Sequence, residues 1–460
     1  MAEIGLKTKF DLIIRNVHAL LPDLSVMPGA TLGIMADRIS WIETDQTAAK
    51  TMAAIVEIDG THKLAMPGMI DGHTHAAQQL LRGSVTDEMP MVWSRILVPF
   101  ESSLTPEDVY AGAMLFCIEN LKAGITTFAE AGGPFMESVA EAAIKSGIRA
   151  CITRSTMDTG VFIPDTMLET TNEAIERTET LYRDYHRTGD GRIHIWFSLR
   201  QAMTSTPDLV AGVTQRAKEL TTGVHIHLAE HLDEIAHCLT KYQMRPAQWF
   251  DSFGLLGPNL IAAHSIRLSD EEVKLVSERG VNIVHCPRSN LGNHGFGKTP
   301  LLKVLGANIA LGTDGASGTR LDLFEQMRLL KSSTHARYGI EINDPMSLPA
   351  LDLLEMATQG GAKAVMQADD LGTVEVGKKA DLILLNLDAP HLSPTAHLPK
   401  TIVMAAGPDD VNDLIVNGKW LIRDHKFIHL DEEEIRFTAG QALKRVSEKA
   451  GLDIRAGYFE

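Results

Sequence analysis

The chain has 460 residues, of which 44% are hydrophobic and 22% charged, and its formal net charge at pH 7 is −16. This composition is typical of a globular protein, and no apolar run reaches the roughly 18 residues that a bilayer span requires, which argues against a membrane partner. The acidic balance and the lack of any basic block argue against a nucleic-acid partner.

Both ends of the chain have the character of short strands. The N-terminal MAEIGLKTKF has no hydrophobic signal core, so we expect a cytoplasmic protein. The segments FDLIIRNVHAL, ATLGIMADRISWIE and AAIVEIDG follow, and after Gly372 come ADLILLNLD, VNDLIVNGKWLIRD and the amphipathic helix EEEIRFTAGQALKRVSEKAG. We predict that residues 1–64 and 368–460 form one small β-sandwich domain, with a C-terminal helix in its second part.

Between these ends, short apolar β-type segments alternate with longer amphipathic helical stretches. Eight such segments occur: MPGMIDGHTH (66–75), ITTFAEA (125–131), IRACITRS (148–155), RIHIWFSL (192–199), GVHIHLAE (223–230), NLIAAHSI (259–266), VNIVHCPRS (281–289) and NIALGTDG (308–315). Eight strand–helix units in series predict an α/β fold with a closed (β/α)8 TIM barrel over residues 65–367. The alternative is an open doubly wound sheet, but no Gly-rich dinucleotide fingerprint follows a first strand.

Helix signals lie between the strands. TPEDVYAGAMLFCIENLKAG places Thr105 at the N-cap, Pro106 at the first helical position and Gly124 beyond the end, and DEEVKLVSERG is a further helical pattern. The four cysteines form no CxxC pair and each lies in an apolar stretch. We therefore predict reduced core thiols rather than disulfides or a thiolate metal site.

Ionisable residues stand where several predicted strands end, which is where a barrel of this kind carries its chemistry. Side chains two apart on a strand point to the same side, so a histidine pair at such spacing can reach one ion. The residues are His73 and His75 in the first segment, His225, His227 and Glu230 in the fifth, His264 in the sixth and Asp314 in the eighth. Taken singly, each has an ordinary interpretation as a core or rim histidine, a turn aspartate or a charge at a helix start. Taken together, they predict a metal site.

Imidazole and carboxylate ligands suit one divalent ion, zinc first and iron second, with an open position for water. Such an ion lowers the pKa of its water from about 15.7 to about 7 and so supplies hydroxide at neutral pH. Asp314 can ligate with one oxygen and accept the water proton with the other. Glu230 can shuttle that proton, and His264 can hydrogen-bond the nucleophile or the developing alkoxide.

The motifs MPGMIDGHTH, HLAEH, AAHSI, HCPRSNL and LGTDG, in this order, resemble the landmarks of the amidohydrolase superfamily. The chain is most similar to the aminohydrolase and chlorohydrolase branch, which contains atrazine chlorohydrolase, triazine hydrolase and S-adenosylhomocysteine/methylthioadenosine deaminases, and the resemblance extends to GTVEVGKKADLILLNLD. It implies that the metal ligands are His73, His75, His227 and Asp314, and that the catalytic residues are Glu230, His264 and Asp314. It also implies a homo-oligomer, a dimer or larger.

A binuclear member of the superfamily would carry a carbamylated lysine at the end of the fourth strand. Here HIWFSLRQ ends in Arg200 and Gln201, without a lysine. The resemblance therefore implies a single metal ion, and it argues against a dihydroorotase or a hydantoinase.

The loops after the strands offer candidate substrate contacts, namely Gln78, Gln79, Arg82, Trp93, Arg154, Arg200, Gln201 and Asn290. Arginine and amide groups can donate to a planar heterocycle and tryptophan can cover its face, although a solvated loop residue or a rim salt bridge is the favoured explanation for any single one. Two loops depart from the branch, GASGTRLDLF after Asp314 and GNHGFGKTP at 292–300. They count against a nucleoside substrate, and they leave His294 and Lys298 as either substrate contacts or ordinary loop residues.

The predicted activity is hydrolytic deamination of an aminated N-heterocycle such as a purine, a pterin or a triazine. Metal-activated hydroxide would attack a ring carbon, Glu230 would protonate the ring nitrogen and ammonia would leave. The close alternative is a hydrolase that releases chloride or an alkylamine from an s-triazine. A metal-free structural homologue is a further alternative, against which the complete ligand set argues.

Overall fold

The computed structural model describes residues 9–45, 52–88, 92–161 and 163–451. Most of the N-terminal decapeptide on which the predicted location depends lies outside these ranges, as do residues 89–91 before Trp93. Among the described residues, no helix combines the length and apolar character that crossing a membrane would need. The fold is α/β and contains parallel sheets.

Strands from both ends of the chain meet in one nine-stranded sheet. Its strands are β1 (Lys9–Leu20), β2 (Val26–Met35), β3 (Arg38–Glu43), β4 (Ala53–Asp59), β5 (Lys63–Pro67), β16 (Leu382–Asn386), β17 (Val411–Val416), β18 (Lys419–Arg423) and β19 (Lys426–Phe427). They lie in the order β19-β18-β17-β16-β5-β1-β2-β3, and β4 also pairs with β1. The antiparallel pairing of β16 with β5 joins the two chain ends. β5 spans the predicted boundary between residues 64 and 65.

The remaining strands form two parallel five-stranded sheets. They are β6 (Met69–His75), β7 (Ile125–Glu130), β8 (Arg149–Ile152), β9 (Ile193–Ile195), β10 (Phe197–Leu199), β11 (Val224–Leu228), β12 (Leu260–His264), β13 (Asn282–His285), β14 (Asn308–Leu311) and β15 (Asp314–Gly315). One sheet has the order β10-β11-β12-β13-β14 and the other β15-β6-β7-β8-β9. All eight predicted segments therefore contain strands, and the fourth and the eighth supply one strand to each sheet.

The two divided segments differ from the prediction of one strand each. Trp196 alone separates β9 from β10, and Gly312 and Thr313 separate β14 from β15. A Cβ atom at Gly312 would lie 2.8 Å from the backbone oxygen of His73. Glycine therefore permits the backbone between β14 and β15 to approach β6 closely. The seventh segment also ends early, because Pro287 opens a helix immediately after β13.

Helices separate the strands along the chain. The α-helices are Val98–Glu101, Pro106–Lys122, Met136–Ser146, Thr171–Tyr185, Thr188–Gly191, Pro207–Glu219, Leu232–Tyr242, Pro246–Asp251, Asp270–Glu278, Pro287–Asn293, Thr299–Val304, Leu323–Thr334, Ala350–Glu355, Gly361–Ala364, Leu398–Ala405 and Glu432–Ala450. The helix Pro106–Lys122 starts as predicted, because Thr105 accepts from the Asp108 amide in a capping box and Pro106 takes the first helical position. Gly124 follows its end in a left-handed conformation, at φ +78°.

The core lies around the parallel strands, whose residues are buried almost throughout. The four cysteines, Cys117, Cys151, Cys238 and Cys286, are buried and free, as predicted. A buried ion pair connects the two kinds of sheet: Arg149 of β8 lies 2.9 Å from Asp381, next to β16, and also donates to the Asn417 side chain. The parallel strands are thus fixed against the sheet that both chain ends build.

Candidate active site

Five of the predicted side chains converge at the carboxyl ends of the parallel strands. His73 and His75 end β6, while His227, His264 and Asp314 lie on β11, β12 and β15. The Asp314 Oδ1 atom is 3.5 Å from the Nε2 atoms of both His73 and His75, and the Nε2 atoms of His75 and His227 are 3.3 Å apart. Ligating atoms of His73, His227 and His264 also lie within 4.8 Å of one another. The strand ends therefore bring together a compact group of ion-binding atoms.

His73 lies in the middle of this group and is fully buried. Its Nδ1 atom is 2.8 Å from Nε2 of His225, which fixes the ring through its outer nitrogen. Its inner nitrogen, Nε2, is buried without a hydrogen-bond partner among the described residues. A buried polar atom without a partner is costly, and a metal ion at the centre of the group would remove that cost.

The ionisation of the group favours metal binding. Burial lowers the pKa of His227 well below its ordinary value, and the neighbouring His73 and Arg200 lower it further. For Asp314, burial acts to raise the pKa, but the contact with His73 and the nearby imidazoles hold it well below its ordinary value. Neutral imidazoles and an ionised carboxylate are the forms that bind a divalent cation. The residues present fit such an ion.

The strand ends are tied together below the group by Asp71 of β6. Its Oδ1 atom accepts from the amides of His73, at 3.2 Å, and Thr313, at 3.1 Å, and its Oδ2 atom accepts from the Thr313 hydroxyl. Burial raises the pKa of Asp71 to about 7, and the bonds from Thr313 only partly offset this. Asp71 thereby holds the segment that carries Asp314 beside the histidines of β6.

Glu230 lies beside this group, surrounded by three imidazoles. Its Oε1 atom is 3.6 Å from Nε2 of His264 and 3.1 Å from Nε2 of His294, and its Oε2 atom is 3.3 Å from Nε2 of His231. Burial acts to raise the pKa of Glu230, but His264, His231 and His294 hold it well below its ordinary value. The carboxylate is therefore ionised and able to accept a proton.

His264 is oriented by Asn290, one of the predicted substrate contacts. The Asn290 Oδ1 atom accepts from the Cys286 amide at 3.2 Å, which directs its Nδ2 atom toward Nδ1 of His264 at 2.9 Å. Because an amide nitrogen only donates, the neutral ring of His264 carries its proton on Nε2, toward Glu230. Burial lowers the pKa of His264 to about 4. Asn290 thus uses both of its polar atoms on the protein.

The other predicted contacts divide into buried and paired residues. Gln78 and Arg200 are buried: Gln78 donates to Glu101 at 2.8 Å, and Arg200 lies over the Trp93 ring, 5.9 Å from its centroid. Gln201 is also buried. The remaining residues pair with carboxylates: Gln79 and Arg82 with Glu119, Arg154 with Glu169, and Lys298 with Asp270. Salt bridges of the kind considered for such residues are thus present for Arg82, Arg154 and Lys298, whereas the neutral Gln79 donates a hydrogen bond to Glu119.

Several residues of this region have no individual role in the sequence prediction, although His225 belongs to its strand-end group. His225 was recognisable by its two-residue spacing from His227, and Glu130 by its place at the end of a buried strand. Burial raises the pKa of Glu130 to about 8, although its carboxylate accepts hydrogen bonds from the backbone amides of Ala76 and Gly132, which act to lower this pKa. Glu101 gives no such signal in the sequence. Its Oε2 atom is buried without a partner among the described residues.

Parallel strands that end in buried imidazoles and a carboxylate are typical of metal-dependent hydrolases. The sequence pattern of the Amidohydrolase family matches residues 64–421. This chain belongs to that family.

Several curated proteins and solved structures are similar to this chain over most of its length. A 5-methylthioadenosine/S-adenosylhomocysteine deaminase of Pelotomaculum thermopropionicum is 38% identical over 394 residues, 85% of this chain and 87% of the relative. A 5'-deoxyadenosine deaminase of Methanosarcina mazei is 33% identical over 448 residues, 95% and 98% of the two chains. The crystal structure of an adenosine deaminase from Xanthomonas campestris with bound zinc is 30% identical, covers 96% of this chain and 100% of its own, and superposes with a TM-score of 0.89. A triazine hydrolase variant superposes with a TM-score of 0.86 and covers 94% and 99%, but at 23% identity it shows the fold alone.

Proposed function

We propose that this chain is a metal-dependent deaminase that removes the amino group of a 6-aminopurine ring carried by an adenosine-like nucleoside. The observation that carries the proposal is the buried group of His73, His75, His227 and Asp314 beside the Glu230–His264 pair. The deaminases that share 33% to 38% identity with the chain support the ring class. This choice narrows the predicted substrates from purine, pterin or triazine to purine, and it sets aside the argument from loops 292–300 and 315–320 against a nucleoside.

We further propose a closed eight-stranded barrel. The two parallel sheets share the segments at 192–199 and 308–315, which supports closure at both sides, because each segment pairs with a neighbour in either sheet. The barrel would occupy residues 65–367. The nine-stranded sheet of both chain ends would then form the separate β-sandwich domain that the sequence predicts. The homo-oligomeric state and the cytoplasmic location stay predictions from the sequence.

His73, His75, His227 and Asp314 would hold one divalent ion, for which zinc is the first candidate. When bound, such an ion lowers the pKa of a water molecule from about 15.7 to about 7 and so makes a nucleophile available. The bond between His73 and His225 would keep the inner nitrogen of His73 turned toward the ion. Asp71 would keep Asp314 in reach of the histidines.

Proton transfer would fall to Glu230 and Asp314. Both carboxylates are ionised in the resting site, so either can take the proton of the attacking water. Glu230 would pass its proton to the ring nitrogen, and His264 would donate from Nε2 to the oxygen that adds to the ring carbon. The remaining proton of that oxygen would pass through Asp314 to the amino group, so that the carbon–nitrogen bond breaks and ammonia leaves. Asn290 would serve this step indirectly, because it sets the tautomer of His264.

The ring would be recognised by the buried residues beside the metal site. Arg200, stacked on Trp93, offers guanidinium donors beside an apolar face. Glu101 offers a carboxylate oxygen that no described residue engages, and its other oxygen is held by Gln78. A polar atom left free in a buried wall is suited to a hydroxyl or an N–H of a ligand. We therefore add Glu101 to Gln78, Arg200, Trp93 and Gln201 as candidate substrate contacts.

An ammonia-release assay with zinc-loaded and iron-loaded protein tests the function. Adenosine, 5'-deoxyadenosine, 5-methylthioadenosine and S-adenosylhomocysteine should release ammonia, while pterins and amino-triazines should not. Two variants serve as a matched pair: His73→Ala in the site should lose the metal and the activity, while His62→Asn on an exposed loop should keep both. The pair therefore separates loss of the metal from the effect of replacing any histidine. Chloride or alkylamine from a triazine, without ammonia from any purine, would instead establish the triazine-hydrolase alternative.

A further inference from the structure

A second group of potential metal ligands lies at the outer side of Glu230. It consists of Glu230, His231 and His294, whose ligating atoms all lie within 4.8 Å of one another. The two Nε2 atoms face different oxygens of the same carboxylate, His294 at 3.1 Å from Oε1 and His231 at 3.3 Å from Oε2. The two imidazole rings meet edge to face, with their centroids 4.1 Å apart. We call these three residues the outer triad.

The distances between the nitrogen and oxygen atoms of the outer triad suit a four-coordinate ion. Zinc binds imidazole nitrogen and carboxylate oxygen at about 2.0–2.2 Å, so neighbouring tetrahedral ligand atoms lie roughly 3.3–3.5 Å apart. The observed separations of 3.1 and 3.3 Å are close to this value. The two imidazole nitrogens and the two oxygens of one chelating carboxylate supply the four donor atoms of a four-coordinate zinc ion.

The backbone holds the outer triad in place from both sides. Glu230 follows Ala229, which has a left-handed φ of +49°, and the Ala229 carbonyl accepts from the amide of Arg267 at 2.8 Å. The same Arg267 donates from its guanidinium to the carbonyl of His294. One residue thus fixes the two segments that supply the ligands, so an ion would bind with little reorganisation.

The outer triad is more accessible than the buried metal group. The side chains of His231, Glu230 and His294 are 35%, 13% and 11% exposed, whereas that of His73 is 0% exposed. An ion can therefore reach the triad from solvent without entering the buried group. Its affinity should be lower, because an ion already held by the neighbouring histidines would repel a second one.

We propose that the outer triad is a second, inhibitory site for a divalent cation of the zinc class. An ion bound there would engage both oxygens of Glu230 and remove this carboxylate from proton transfer. The binding site stands on geometry alone, while its inhibitory effect rests on the proposed function. It differs from the second ion of a binuclear hydrolase, since it needs no lysine at the end of the fourth strand.

Metal stoichiometry tests the site directly. Protein loaded with one equivalent of zinc is titrated with more zinc under equilibrium dialysis, and cobalt replaces zinc in a parallel series followed by its visible absorption. We expect a second, weaker equivalent with the absorption of four-coordinate cobalt. His294→Asn and His231→Asn should each weaken this second equivalent by at least about tenfold, while the exposed control His62→Asn should leave both equivalents unchanged. A single equivalent in the wild-type protein would overturn the proposal.

A further variant separates this proposal from the proposed function. His73→Ala should lose the buried ion yet keep the outer equivalent, and adding His294→Asn should remove that one as well. If the enzyme deaminates no purine but these stoichiometries hold, the function fails and the outer site stands. If purine turnover is metal-dependent and excess zinc neither binds nor inhibits, the outer site fails and the function stands.

Discussion

At the scale of single residues, two glutamates four positions apart have opposite ionisation. Burial acts to raise the pKa of Glu230, but the imidazoles of His264, His231 and His294 hold it well below its ordinary value. Burial raises the pKa of Glu234 to about 8, since the backbone amides near its carboxyl compensate only in part. One residue is thus kept as a base, and its neighbour is kept protonated at neutral pH.

Replacing Glu230 tests its role as the proton carrier. We expect Glu230→Gln to keep the buried metal ion and to lower kcat by about 10² or more, because the amide fills the same space but takes up no proton. Metal analysis of the purified variant and steady-state kinetics would check both parts. Near-normal turnover with the metal present would remove Glu230 from the proton path.

Replacing Glu234 tests the pH dependence of stability. Its folded pKa of about 8 exceeds the ordinary value of 4.5, so the protonated carboxyl stabilises the fold fully below pH 4.5. That contribution is lost as the pH rises toward 8, because the unfolded chain releases the proton first. Glu234→Gln should therefore gain stability relative to the wild type as the pH rises from about 5 to about 8. Thermal melts across this window would show the difference in Tm, and a constant difference would contradict the expected protonation.

At the scale of elements, the site depends on how three strands end. Ala229 after β11, His264 at the end of β12 and Asp314 in β15 have left-handed φ values of +49°, +65° and +62°. Such conformations are uncommon for residues other than glycine, and they cluster where function requires a fixed direction. Here each left-handed turn lies at or next to a residue of the site. The strand ends therefore direct the side chains of the site.

The helix Pro106–Lys122 offers a test of how much one cap contributes. Thr105 accepts from the Asp108 amide, and the Asp108 carboxylate accepts from the Thr105 amide in return. Thr105→Ala should lower the free energy of unfolding by about 1 kcal/mol, while Thr105→Ser, which keeps the hydroxyl, should change it by less than half of that. Urea denaturation of the two variants would measure the difference. Equal losses would assign the effect to packing of the threonine methyl group.

At the scale of the whole molecule, the sequence predicts the strands of the fold and the side chains whose position depends only on their place in a strand. Eight strand segments were recognisable by their apolar runs, and His73 and His75 by their spacing at a strand end. It does not predict which partner a long polar side chain takes, because that depends on residues far away in the chain. Arg82 pairs with Glu119 and Asn290 with His264, and neither partner is recognisable from the sequence. Glu101 shows the same limit, since only the folded chain leaves its oxygen without a partner.

The connection between the two kinds of sheet supports a last prediction for the whole molecule. Arg149 of β8 and Asp381 beside β16 are nearly fully buried and 2.9 Å apart, and the Asn417 amide also donates to Asp381. Arg149→Met would leave a buried carboxylate without its cation, so we expect a loss of about 3–5 kcal/mol in the free energy of unfolding.

Adding Asp381→Asn to Arg149→Met should restore part of that stability, because the asparagine side chain carries no charge. Its side-chain oxygen can still accept the hydrogen bond that the backbone N–H of Asn417 donates to Asp381. A double-mutant cycle by chemical denaturation would measure the coupling. Additive losses would show that the pair contributes through packing and not through its charges. Arg149 lies at the amino end of β8, whereas the histidines of the site lie at the carboxyl ends of β6, β11 and β12, so the metal content of both variants should stay at the wild-type level. Loss of the metal would instead show that the β-sheet of the chain ends positions the site.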